Sequence, residues 1–392
     1  MVVRSVFDNG GLIMYFRLNP ECFFINGEKR GAIYDLIEAD IHSLDGEETQ
    51  LIQNCENNQI VTGYEHLLIE LKRRCIGNFY DRPVYIQKLR LGSPILDYQP
   101  GHPPLLETAF LEINNTCNQS CWFCGTHGIK RSSGCLGCNT WPEEGTGLEI
   151  QDWIQVIDDL ADLKCNVLFF TGGDLTQKWD VVKELLNYTY TKFSRIFVII
   201  NSAHITSTIL EDLEGKATPI IQTENIADIT SGNRYLLVTS TDANVPKEIS
   251  QQKTITVDWV SQDFSHLPRE SRLVAKTKIQ KTDLFRFSHT KKKHPCLANT
   301  ITISWRGEIL PCPMLRRQSL GSIKSQHVYD VFKTHSEGLE KFWRMSLEKI
   351  QKCTTCEFRY ACNDCRALED ALTGDLNGKM LCNYDAAKGI WV

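Results

Sequence analysis

The chain has 392 residues, a net charge of −5 and 42% hydrophobic residues, enough for two or three domains with substantial cores. The mildly acidic balance excludes a general electrostatic attraction to nucleic acid or to an anionic membrane. Apolar runs such as residues 196–200 are strand-sized and far too short to cross a bilayer. The N-terminus shows no long apolar signal core, so a cytoplasmic protein is expected. Sixteen cysteines, many in short-spaced groups, then point to metal rather than disulfides, because the compartment is reducing.

Residues 1–90 read as a small α+β or winged-helix-like unit. Segments 15–25 and 32–44 are predicted strands, divided by the turn at Asn26-Gly27 and by Gly31. Segments 47–57 and 64–74 carry helical spacing through Leu51, Ile52 and Cys55, then Leu67, Leu68 and Leu71. Residues 91–106, with Pro94, Pro100, Pro103 and Pro104, read as a linker.

From residue 107 to 285 strands alternate with helices. Strands are predicted at 108–114, 167–170, 195–200, 219–221, 235–238 and 254–260, with helices at 149–163 and 181–188. That alternation implies a parallel sheet, open or closed as a barrel, with ligands at the C-terminal strand ends. Asn114-Asn115 and Thr171-Gly172 fall at such ends. Residues 286–392 hold a hairpin around Arg306-Gly307 but little other periodicity, and their cysteines are expected to hold the fold together through metal.

Cys117-Asn-Gln-Ser-Cys121-Trp-Phe-Cys124 follows directly after a predicted strand. Three thiolates from one loop leave one iron of a four-iron cluster open to a small molecule, whereas structural zinc favours a closed set of four. The CxxxCxxC spacing resembles the radical S-adenosylmethionine (SAM) superfamily. The resemblance implies a partial (β/α)6 TIM-like barrel in which Cys117, Cys121 and Cys124 hold a [4Fe–4S] cluster whose open iron chelates SAM. It places Phe123 near the adenine. Thr171-Gly172-Gly173-Asp174 resembles the family's Gly-Gly-Glu motif, with Asp174 one methylene shorter, and its glycines would admit the SAM ammonium closely. Asn201 sits where relatives carry a Thr-Asn-Gly, or is an ordinary strand-capping Asn; Gln222 is a candidate ribose contact.

Cys296, Gly307-x4-Cys312, then Cys353-x2-Cys356-x5-Cys362-x2-Cys365 and finally Cys382 resemble the SPASM domain of radical SAM peptide maturases and anaerobic sulfatase-maturing enzymes. One residue fewer separates Cys362 from Cys365 than in the family pattern. The resemblance implies two auxiliary [4Fe–4S] clusters, three clusters in all: a distal one on Cys353, Cys356, Cys362 and Cys382, and a nearer one on Cys296, Cys312 and Cys365. Residues 297–311 contain no further cysteine. The nearer cluster therefore has either an open iron or a fourth ligand from elsewhere, such as Cys135, Cys138 or a carboxylate. Cys135-Leu-Gly-Cys138 on its own reads equally as a redox pair, a metal half-site or two idle thiols. Cys22, Cys55, Cys75 and Cys165 read as packing residues.

Phe16-Arg-Leu-Asn-Pro20 and Ile33-Tyr34-Asp35 with His42-Ser43-Leu44 look like the leader-recognition domains of such maturases. This implies a precursor peptide with a leader added to a strand edge, and an electron donor such as flavodoxin or ferredoxin. The implied reaction is reductive SAM cleavage, hydrogen abstraction, and formation of a thioether or a carbon–carbon or ether crosslink. Two alternatives stand beside it: a formylglycine-generating sulfatase maturase, for which the N-terminal unit would be superfluous, and a non-enzymatic electron-transfer protein.

Overall fold

The computed structural model describes residues 14–61, 65–89, 106–125, 131–240, 243–260, 279–334, 336–380 and 382–391. The expected linker lies outside them except at its last residue.

The N-terminal unit contains β1 (Tyr15–Leu18), β2 (Cys22–Asn26), β3 (Gly31–Asp35), β4 (Asp40–Leu44), α1 (Gly46–Glu56), α2 (His66–Arg73) and β5 (Gly77–Tyr80). Each of the two long predicted strands is in fact a pair. Pro20 has no N–H for a ladder, and Cys22 N–H closes a turn on the Asn19 carbonyl at 3.1 Å. After β3 the Asp35 carboxylate accepts from the N–H groups of Ile37 and Glu38, both at 3.1 Å, and Ala39 takes φ 54°. That Asx-type turn reverses the chain into β4. The strands form an antiparallel β2-β3-β4 sheet and a β1–β5 ribbon. Asp45 and Glu48 form a capping box at the start of α1. Phe16, Leu18, Ile33, Ile52, Leu68 and Ile76 pack between strands and helices.

The central unit follows the expected alternation. β6 (Thr108–Asn114), α3 (Ile150–Asp162), β7 (Val167–Gly172), α4 (Trp179–Thr189), β8 (Arg195–Asn201), α5 (Ser207–Leu213), β9 (Thr218–Thr223), β10 (Arg234–Ser240), the short α6 (Lys247–Ser250) and β11 (Ile255–Val260) succeed one another. The six strands lie parallel and in chain order. Between β9 and β10 the connection is a 3-10 turn at Ile226–Asp228 rather than an α-helix. Strand alternation sends Ala109, Leu111, Leu168, Phe170 and Val198 outward, into one core with Trp153, Ile157 and Leu185 of the helices. Phe110, Phe169 and Phe197 stack side by side on the opposite, concave face, with centroids 4.6 and 4.8 Å apart. Further along the same face, toward the C-terminal strand ends, the side chains become polar: Glu112, Thr171, Asn201, Gln222 and Asp258.

The C-terminal unit contains α7 (Leu284–Lys292), β12 (Thr300–Ile303), β13 (Ile309–Leu310), α8 (Val328–Thr334), α9 (Ser336–Trp343), α10 (Arg366–Thr373), β14 (Tyr384–Asp385) and β15 (Ile390–Trp391). It is not independent of the barrel. β12 pairs in parallel with β6, from Thr300↔Thr108 to Ile303↔Leu111, and β13 extends the sheet antiparallel. The N-terminal unit docks on it as well. Glu28 N–H donates to the Thr355 carbonyl at 2.8 Å, the Tyr34 hydroxyl to the Glu357 carbonyl at 2.8 Å, and Arg359 to the Asn26 carbonyl at 3.1 Å. Phe23 and Tyr34 pack on Phe287, and Tyr34 on Tyr360. Every residue of β3 is consequently buried.

Candidate functional site

The loops leaving β6 and β7 meet at the mouth of the half-barrel. Gly173 N–H donates to the Asn114 carbonyl at 3.0 Å and Asp174 N–H to the Thr116 carbonyl at 2.7 Å. A Cβ on Gly172 would lie 2.3 Å from the Asn114 oxygen, and one on Gly173 would lie 2.2 Å from that of Thr116. Gly172 also has φ +129°. The glycine pair is thus required by the close approach of two loops, in addition to any ligand.

One cavity at this mouth is lined by Cys117, Cys121, Phe123, Cys124, Cys138, Asn139, Gly173, Asp174, Asn201, His204 and Gln222. The three motif thiols are therefore joined by Phe123, Gly173, Asp174, Asn201 and Gln222 of the predicted SAM contacts, but not by Gly172 or by Thr171, whose hydroxyl donates to the Gly137 carbonyl at 3.2 Å. Gln222 is fully buried, and its amide is spanned between Arg131 Nη2 at 2.8 Å and Cys138 Sγ at 3.0 Å. Asp174 Oδ1 caps the following turn through Thr176 N–H at 3.0 Å, while Oδ2 lies 3.5 Å from His204 Nε2. Cys124 Sγ accepts from Thr140 N–H at 3.2 Å and Cys117 Sγ from Gln119 N–H at 3.3 Å. Burial pushes the Cys121 thiol up to about 11, with the charges of Cys124, Glu224 and Cys117 adding to it.

Residues 131–141 cross the mouth from its far edge. Arg131 bridges to Val260 at the end of β11, and Trp141 N–H donates to Asn115 Oδ1 at 2.6 Å. Arg131 anchors this span. It is buried, pairs with buried Asp258 at 2.6 Å, donates to the Cys138 carbonyl at 3.0 Å and lies 4.9 Å over the Phe123 ring. Cys138 is thereby held beside the first cysteine group. Burial drives its thiol up to about 12, Arg131 opposes this, and Cys124, Cys121 and Cys117 reinforce it.

Two further thiol groups involve the C-terminal unit, the second joined by Cys135 of the span 131–141. Cys362 feels the charges of Cys382, Cys356 and Cys353. Lys379 is held beside the same four: burial lowers its ammonium, but those thiols raise it overall. The second group is Cys296, Cys312 and Cys365 with Cys135. Burial pushes Cys296 well above the usual thiol range, and the charges of Cys365, Cys312 and Cys135 push it further. Cys296 nevertheless has an exposed surface. Among the described residues no three metal-type side chains converge on a single ion position.

Residues 111–219 match the family profile of the radical SAM superfamily, and residues 295–357 match SPASM, an iron–sulfur cluster-binding domain. The chain carries a radical SAM domain followed by a SPASM domain. Among solved structures, Streptococcus suis SuiB bound to precursor peptide SuiA is similar over 90% of this chain and 96% of its own, at 13% identity and a TM-score of 0.43. AdoMet-bound anSMEcpe covers 70% and 92% at 12% identity and a TM-score of 0.46. BtrN in complex with AdoMet and 2-DOIA covers 67% and 95% at 14% identity and a TM-score of 0.38. No curated protein sequence matches significantly.

The residues at this mouth fit the cofactors of a radical SAM domain. Asn139 Nδ2, buried and lining the first cavity, has no hydrogen-bond partner among the described residues, and His204 Nε2 has only the Asp174 carboxylate at 3.5 Å; a polar ligand such as SAM would supply a partner for Asn139. Arg131, Asp258, Asn139 and His204 went unnoticed in the sequence. Asp258 lies mid-strand and Arg131 in an insertion, and only the closed mouth brings them together. Among the described residues no helix is long and apolar enough to cross a membrane.

Lys379 carries a prediction. Reduction adds a negative charge to a cluster, and a nearby ammonium favours that state. Lys379→Met is expected to make one auxiliary potential more negative and leave the others unmoved, read by redox titration followed by EPR. An unchanged set of potentials would separate Lys379 from any cluster on Cys353, Cys356, Cys362 and Cys382.

Proposed function

We propose that this enzyme modifies a ribosomally made precursor peptide, with three [4Fe–4S] clusters seated on the three cysteine groups. Cys117, Cys121 and Cys124 would hold the first cluster; Cys353, Cys356, Cys362 and Cys382 the distal one; Cys296, Cys312 and Cys365 the nearer one. When bound, the first cluster and SAM supply reductive cleavage of SAM to methionine and a 5′-deoxyadenosyl radical, which takes a hydrogen atom from substrate. The observation that carries the reading is the sharing of one cavity by the three motif cysteines with Gly173, Asp174, Asn201 and His204.

The chain's own groups do the rest. Phe123, backed by Arg131, offers a flat apolar wall for the adenine. Asn139 offers an unpaired amide N–H to SAM, and His204 lines the same cavity beside Asp174. The span 131–141 narrows the mouth and limits water around a reactive radical. A crosslink removes two hydrogens from the peptide. One would leave with the radical; the other would leave as a proton with one electron, for which an auxiliary cluster on the SPASM cysteines would be the acceptor. A flavodoxin or ferredoxin would reduce the first cluster. The bond formed is a thioether or a carbon–carbon or ether link.

Leader recognition is assigned to β4, which pairs only with β3 among the described strands. Ile41 N–H is taken by the Asp40 side chain at 2.9 Å, so it points away from β3, and the two-residue period turns Ser43 N–H the same way. A leader can add there as a further strand.

The purified enzyme, reconstituted anaerobically, is expected to bind about twelve irons and to form 5′-deoxyadenosine from SAM and dithionite; a pure electron-transfer protein would form none. Incubated with its peptide, it is expected to remove two hydrogens per link, read by mass spectrometry. Ser43→Pro, which deletes one outward N–H from an exposed position, is expected to lower turnover of peptide with leader at least several-fold. SAM cleavage without peptide should be unaffected. Equal turnover of leaderless and full-length peptide by the native enzyme would remove β4 from recognition.

A further inference from the structure

Cys135 and Cys138 belong to neither cysteine motif, and the fold sends them to different places. Cys138 lines the first cavity, beside Cys117, Cys121 and Cys124. Cys135 lies on the 3-10 turn Gly134–Leu136 and faces the other way. It packs against the same apolar cluster as Cys312 and Cys365, built from Trp141, Leu297, Met314 and Leu315 among others. Cys296 and Cys312 both feel the charge of Cys135, and Cys135 feels that of Cys365. Cys135, Cys312 and Cys365 thus pack on one apolar cluster, with Cys296 beside them.

The turn is fixed from the barrel side. Ser133 N–H donates to Asp258 Oδ1 at 2.7 Å, and Leu136 N–H closes the turn on the Ser133 carbonyl at 2.9 Å. Gly137 is needed directly after it, because a Cβ there would lie 2.1 Å from Arg131 Nη2. The competing carboxylate nearby is held in ion pairs. Asp364 is ion-paired with Arg366 and lies 3.2 Å from His294 Nε2. His294 Nδ1 accepts from the N–H groups of Cys296 and Leu297 at 3.2 and 3.1 Å.

We propose that Cys135 is the fourth protein ligand of the auxiliary cluster held by Cys296, Cys312 and Cys365, so that the radical SAM core and the SPASM domain bind this cluster jointly. A cubane needs one outer ligand per iron, and the SPASM pattern of this chain supplies three. The inference rests on the three-cluster reading above and deepens it. With four thiolates, the cluster has no iron free for a substrate thiolate and acts in the proposed chemistry as an electron acceptor alone.

The test uses the full chain with Cys117, Cys121 and Cys124 all changed to Ala, so that only auxiliary clusters remain. In that parent, isotope-labelled cyanide is expected to show no hyperfine coupling to either reduced cluster by EPR. Adding Cys135→Ala is expected to create cyanide coupling on one cluster and to make it convert readily to a [3Fe–4S] form with ferricyanide. Cys135→Ser, which can ligate through oxygen, is expected to restore resistance in part. Cys138→Ala and Cys75→Ser should behave as the parent. Cyanide coupling in the parent, or a Cys135→Ala spectrum identical to the parent's, would overturn the assignment. If Cys135→Ala does not fold, the parent's cyanide result decides alone: coupling overturns the assignment and its absence supports it. A parent without about eight irons would instead sink the three-cluster reading.

Discussion

Changing Cys117, Cys121 and Cys124 together to Ala is expected to abolish 5′-deoxyadenosine formation while about eight irons remain bound. The three thiols come from a single loop that opens at the end of β6, and they share a cavity with the residues expected to hold SAM. Their removal deletes every sulfur ligand that the motif supplies to the first cluster. The other two cysteine groups lie in or against the SPASM unit and do not depend on this loop. Cys138 is the one remaining thiol in the cavity, and a single ligand does not hold a cubane. The measurement is anaerobic chromatography of the products with dithionite and SAM, beside an iron assay. Deoxyadenosine at the native rate would remove the radical chemistry from this cavity. A loss of all iron would show that the auxiliary clusters depend on the first.

Arg131→Met is expected to cost about 3–5 kcal/mol of stability, because it leaves a buried carboxylate without its cation. Arg131 and Asp258 both have fully buried side chains, 2.6 Å apart. The arginine also serves Gln222 Oε1 and the Cys138 carbonyl, and each loses a donor with it. Asp258→Leu alone should be similarly costly, since it strands the guanidinium. The double variant Arg131→Met/Asp258→Leu is expected to lose less than the sum of the two. Removing both charges avoids the unpaired state, and the coupling is read from a double-mutant cycle in denaturant. A single-variant loss below about 1 kcal/mol would mean that water reaches the pair.

Much of the barrel was legible in the sequence because its strands are local apolar runs between turn residues. The predicted segments 195–200 and 235–238 lie wholly within β8 and β10. The long strand predicted at 15–25 failed because apolar alternation runs through Asn19-Pro20, although Pro20 is itself the signal against a continuous ladder. The strand predicted at 32–44 failed for a subtler reason: Asp35 caps its own turn, which periodicity does not register. In the site, the cysteine motifs and Gly172-Gly173 were legible because their spacing is short. The docking of Tyr34 on Glu357, and of Arg131 on Asp258, is made between distant parts of the chain and leaves no local pattern. The sequence named Cys135 only as one of three possible sources of a fourth ligand, beside Cys138 and a carboxylate, because a CxxC pair does not say that its two thiols pack against different clusters.

The span that carries Cys135 also bears on how the protein matures. With Cys135 among its ligands, the nearer auxiliary cluster draws on residues 135, 296, 312 and 365. In an unfolded chain, closing the stretch from 135 to 296 costs about 4–5 kcal/mol of chain entropy. The folded barrel has already met that cost, since β12 lies against β6 from Thr300↔Thr108 onward and delivers Cys296 toward the turn. Cluster insertion at this position would therefore follow barrel closure and require Cys365 to have left the ribosome. Under iron limitation the expected casualty is the final joining step, leaving a folded barrel whose C-terminal unit is held by strand pairing and apolar contact alone.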